Sequence, residues 1–87
     1  MMNDAMRATV DMMATTLKAR GAGLTMHTRD FPSWTNVSVD QTYEGHVVQT
    51  ATVTVYQSGS WQVTCDNCGI FARVAPELEA RRFRRAA

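Results

Sequence analysis

The 87-residue sequence predicts one α+β domain: a two-layer sandwich in which an N-terminal and a C-terminal helix flank an antiparallel meander of three to four strands. Three observations carry this expectation. Apolar residues recur at helical spacing across residues 3–20. Eight of the eleven threonines lie between Thr25 and Thr64, interleaved with valines at period two. Pro76 stands where the first residue of a terminal helix is expected.

Composition bounds the class before any element is placed. A chain of this length folds to a radius of gyration of about 12 Å and makes one domain, 1–87. With 45% hydrophobic and 20% charged residues and a net charge of +1, it reads as an ordinary soluble chain, neither disordered nor uniformly basic. No apolar run approaches the roughly 20 residues of a membrane span. Asn3, Asp4, Arg7, Asp11 and Lys18 interrupt any signal-peptide core. Two cysteines cannot build a disulfide framework, so the expected setting is the cytoplasm.

The first helix, 3–20, rests on Met2, Met6, Val10, Met13 and Leu17, spaced 4, 4, 3 and 4. Asn3 or Asp4 caps its start; Lys18, Arg20 and Gly21 signal its end. Five of the six methionines fall in residues 1–13. This adaptable stripe either covers the sheet or meets a second copy or another partner. Strands are expected at 24–29, 34–40, 46–56, 60–65 and 69–74, with a breaker at Pro32 and a turn from Asp40 to Gly45.

Residues 50–65 predict a hairpin. A three-residue loop of Gln57, Ser58 and Gly59, with Gly59 left-handed, sets Val55 opposite Trp61, Val53 opposite Val63 and Ala51 opposite Cys65. All the apolar residues then share one face, while Thr52, Thr54 and Tyr56 line a polar one with Thr64, Gln62 and Ser60. A short strand 69–74 and a helix 76–86 complete the order.

Cys65-Asp-Asn-Cys68-Gly69 has the spacing of half a tetrahedral zinc site, which makes zinc the one candidate cofactor. His27 and His46 complete four ligands on paper. The hairpin register opposes that set, because Cys65 falls on the apolar face while His46 falls on the polar one, more than about 15 Å away along the strand. Zinc held between the cysteine pairs of two copies is another arrangement. A redox pair works at a helix start, and the expected strand at 69–74 disfavours it. Two thiols at the hairpin end that act as small core residues, or that are left from an ancestral metal site since lost, are the simplest reading.

The block Thr52–Arg73, with Trp61-x-Val-x-Cys and the Cys-x-x-Cys-Gly turn, resembles the hairpin of small zinc-ribbon-like proteins of actinobacteria and their phages. The resemblance implies a fold fragment with a metal-binding turn and an arginine-bearing strand after it. Those proteins continue into an Ala-rich helix ending in histidine, whereas Pro76–Ala87 contains no histidine.

The small net charge conceals an asymmetry. Residues 1–68 carry four Lys+Arg against six Asp+Glu, while residues 69–87 carry five Arg against two Glu. Arg81, Arg82, Arg84 and Arg85 form a cationic end able to contact phosphates or an acidic protein, or simply to complement the helix dipole. No Gly-rich phosphate loop, paired acids or placed nucleophile points to an enzyme. The expected function is a non-enzymatic module that binds a macromolecule, with a protein partner first. The alternative is a zinc-knuckle nucleic-acid-binding regulator.

Overall fold

Asn3 starts the first helix: its side-chain oxygen accepts the Met6 N–H at 2.8 Å, and its carbonyl accepts the Arg7 N–H at 3.0 Å. This helix, α1, runs Asp4–Ala19 in a computed structural model that describes residues 2–19, 23–66, 69–81 and Arg85, without the side chains at 73 and 74. The expected stop at Arg20 and Gly21 lies outside the described residues. Met6, Val10, Met13 and Leu17 are buried and Met2 packs against them half-buried, so the methionine stripe is core.

Four strands follow: β1 (Leu24–Asp30), β2 (Trp34–Tyr43), β3 (His46–Tyr56) and β4 (Trp61–Asp66), antiparallel in the sheet order β1-β2-β3-β4. Alternation decides which side is core. Val37, Val39, Ala51, Val53, Val55 and Trp61 point inward and are fully buried. Between them, Asn36, Ser38, Asp40, Thr52 and Thr54 face outward and stay partly exposed. α1 and the C-terminal helix cover the inner face with one cluster of apolar residues, leaving the outer face open.

The β2–β3 hairpin is longer than expected. Instead of turning from Asp40, β2 continues to Tyr43 and closes on Glu44 and Gly45, with φ of 51° and 81°. Positive φ at both turn residues matches the right-handed twist of the flanking strands, so the ladder runs to the tip.

The β3–β4 hairpin closes as expected at its loop end. Gly59 has φ 86°, the Tyr56 N–H donates to the Ser60 carbonyl at 2.8 Å, and Val55 faces Trp61 and Val53 faces Val63. The register then shifts: Thr52 pairs with Cys65 and Ala51 with Asp66, leaving Thr64 as the extra residue of a bulge. Cys65 is therefore not on the apolar face opposite Ala51. It is an exposed thiol on the outer face, and Asp66 takes the inner position.

That inversion explains the second correction. Residues 69–74 are not a strand, and the terminal helix does not begin at Pro76. One helix, α2, runs Ile70–Ala80, with Pro76 inside it. Asp66, turned inward by the bulge, accepts the N–H groups of Phe71 and Ala72 on Oδ2, both at 3.1 Å, and so caps the helix start. Ile70, Phe71, Ala75 and Leu78 are buried at helical spacing, and burying a side chain of Phe or Leu size contributes roughly 1.5–3 kcal/mol. α2 ends at Ala80, with the Arg81 N–H donating to the Glu77 and Leu78 carbonyls at 3.1 and 3.2 Å. The expected helical run to residue 86 is not continuous: Arg85 makes a parallel bridge to Trp61 instead.

Candidate functional site

The register separates the zinc candidates. His27, Ser38, Thr52 and Cys65 form one cross-strand row, which puts His27 and Cys65 at opposite edges of the sheet, about 14 Å apart at three strand spacings. His46 closes the β2–β3 tip opposite Tyr43, six residues from Thr52 along β3, or roughly 20 Å. His27 is also engaged: its Nε2 lies 3.0 Å from Asp40 Oδ2, and Thr50 donates to Asp40 Oδ1 at 3.0 Å. These two bonds hold the Asp40 carboxyl below its ordinary value of 3.8. Among the described residues no group of three or more His, Cys, Asp or Glu lies together, and Cys65, His27 and His46 do not fit one metal. Cys68 lies outside the described residues. A helix start does follow the cysteine pair, contrary to the expected strand, but its Phe71 and Ala72 N–H groups are already taken by Asp66.

The cationic end is only partly described, since Arg82 and Arg84 lie outside the described residues. Arg81 reaches back to Glu77 Oε1 at 3.5 Å and to Met12 Sδ at 3.7 Å, fastening α2 to α1. The Arg85 guanidinium lies 5.5 Å from the centre of the Trp61 ring. Both described arginines are thus engaged with the fold.

Two surface clusters fell outside the expectations. The first is the tip of the β2–β3 hairpin. Among the described residues, β1 pairs with this hairpin as far as Leu24 opposite Gln41, with the Gly23 carbonyl accepting the Thr42 N–H at 2.7 Å, and β4 as far as Asp66 opposite Ala51. A bulge leaves Val48 unpaired between Gln41–Gln49 and Thr42–Val47. Tyr43, Val47 and Val48 are 67%, 58% and 54% exposed there. The signal was present in the sequence: adjacent Val47 and Val48 cannot both face one core from a regular strand.

The second cluster lies at the opposite end of the outer face. Phe31 and Trp34 stack with centroids 5.0 Å apart, Arg29 sits 5.3 Å above Phe31, and Tyr56 pairs across from Trp34. Tyr56 donates to Gln62 Oε1 at 2.8 Å.

No protein-family model matches the chain, and neither the curated proteins nor the solved structures contain a match. The likeness to zinc-ribbon-like hairpins therefore stands on residues 52–73 alone, and the arginine-bearing segment after the turn is the start of α2 rather than a strand.

Proposed function

We propose that this chain is a non-enzymatic binding module of the cytoplasm that engages a protein partner through the tip of its β2–β3 hairpin. One observation carries the reading: Tyr43, Val47 and Val48 are all exposed near the hairpin tip, and among the described residues none of them belongs to the core. Isolated apolar residues on a surface need no explanation, but an aromatic and two β-branched residues grouped on one tip have the composition of an interface centre. The arm also offers backbone, because among the described residues neither strand has a second neighbour beyond Thr42 and Thr50. Support for a cytoplasmic setting comes from Cys65, an exposed free thiol suited to a reducing compartment.

The test is capture of partners from host cells by the wild-type chain and by Tyr43→Ser/Val47→Ser. The double variant is expected to lose the captured protein while keeping the wild-type melting temperature. Equal capture by both would sink the reading. A nuclease-sensitive capture that survives in the arm variant and is lost in Trp34→Ala would replace it with nucleic-acid contact through the Arg29–Phe31–Trp34 stack, the alternative that this cluster favours.

A further inference from the structure

The two edges of the sheet are finished differently. β4 is six residues long, is bulged at Thr64, and has its first residue, Trp61, bridged by Arg85. Those are devices that blunt an edge against further pairing. Among the described residues β1 has neither a bulge nor a bridged end. Its seven residues pair with β2 in unbroken register from Leu24–Gln41 to Asp30–Thr35, with no proline, lysine or bulge. Behind it, a cleft of about 300 Å³ opens between the end of α1 and the inner side of β1, lined by Ala14, Leu17, Lys18, Leu24, Met26 and Val39 among others. Leu24 and Met26 remain half-buried against the core.

We infer that β1 is the site of self-association, pairing antiparallel with β1 of a second copy about a two-fold axis at His27. Two constraints give this register. Both sets of helices must lie on one side of the joined sheet, so inward residues must face inward residues. Full overlap of the seven residues then sets Leu24 opposite Asp30, Thr25 opposite Arg29, Met26 opposite Thr28, and His27 opposite its own copy.

Charge supports a second copy as the occupant. Asp30 of one chain arrives beside Leu24 of the other on the inner side, at the cleft that Lys18 lines. Lys18 makes no ion pair among the described residues, and Asp30 uses only Oδ1, which accepts from the Thr35 hydroxyl at 2.9 Å. The two-fold axis makes this Lys18–Asp30 match twice. On the outer face, Arg29 arrives beside Thr25, whose own neighbour across the strand is Asp40, two strand spacings or about 10 Å away. The result is a continuous eight-stranded sheet with its two hairpin arms at opposite ends. The methionine stripe, buried within each chain, takes no part. This inference is independent of what the arms bind.

Sedimentation across a concentration series tests it with charge reversals. The wild-type chain is expected to dimerise. Lys18→Glu and Asp30→Lys should each weaken the dimer at least about tenfold, since each turns two attractions into two repulsions. Lys18→Glu/Asp30→Lys should restore it. An equimolar mixture of the two single variants should form a mixed dimer, because both of its pairs are again opposite in sign. Far-UV circular dichroism of each variant separates lost association from lost folding, and Lys18→Glu, on an exposed helix position, serves if Asp30→Lys disturbs the strand. A wild-type chain that stays monomeric at millimolar concentration would overturn the inference, and so would a dimer indifferent to both reversals.

Discussion

The β2–β3 hairpin passes through two environments, joined at the bulge of Val48. In its trunk, Thr35, Val37 and Val39 on β2 and Ala51, Val53 and Val55 on β3 are all buried, with β1 and β4 alongside. In its arm, beyond Gln41 and Gln49, the ladder continues to Tyr43–His46, and among the described residues neither a flanking strand nor the core follows it. Hydrogen bonding between two strands is enough to extend a hairpin already anchored at one end. Side-chain burial is what the arm lacks. Valine means core in the trunk and surface in the arm.

The sharpest way to break this comparison is to make one substitution in both places. Val53→Ala, at a fully buried position, is expected to cost about 2–3 kcal/mol in chemical denaturation. Val47→Ala, at 58% exposure, should stay within about 0.5 kcal/mol. Equal costs would mean that the arm packs against something within the chain.

The two turns allow a finer comparison. Gly45 and Gly59 both have positive φ, so alanine at either pays a backbone strain of roughly 1–2 kcal/mol. A Cβ at Gly45 meets nothing within 4 Å, whereas one at Gly59 meets the Ala5 carbonyl oxygen at 3.1 Å and Thr9 Oγ1 at 3.2 Å. Gly59→Ala should therefore be the more destabilising by about 1 kcal/mol, the difference reporting the α1 contact alone.

The smallest effect is expected at Asp40, near the join between trunk and arm. Its carboxyl is held below the ordinary value by His27 and Thr50, so the folded state favours the ionised form. The associated stability is present above the unfolded value and is lost as pH falls through the folded one, below about pH 4. In a carbon-detected titration, the Asp40 midpoint should rise toward 3.8 in His27→Gln and in Thr50→Val.

Much of this was legible in the residues. The 4, 4, 3, 4 spacing from Met2 to Leu17 reads directly as a buried helix face, and Gly59 in its short loop places Val55 opposite Trp61. These signals are local. The features that escaped are set by distant parts of the chain. The bulge at Thr64 leaves no mark in Val-Thr-Cys-Asp; it satisfies the need of α2 for a carboxylate on the inner side. Gly69-Ile-Phe-Ala-Arg-Val is a short apolar run that suits strand or helix alike, and capping by Asp66 decides between them. The His27–Asp40 pair joins residues 13 apart and becomes visible only once the β1–β2 register is known.

The seam between α1 and the β3–β4 loop also bears on the order of events in folding. Thr9 donates to the Gly59 carbonyl at 2.6 Å, and Asn3 donates to the Gln57 carbonyl at 3.0 Å, across 50 and 54 residues of chain. During synthesis α1 emerges before the sheet, yet this dock does not exist until the β3–β4 hairpin has closed. Closing so long a loop before the sheet exists costs entropy that no contact yet offsets, so α1 seats late. Beyond its backbone strain, the alanine at Gly59 should then speed unfolding and leave the refolding rate nearly unchanged. Relative to the sheet it covers, α1 is in this sense the lock closed last.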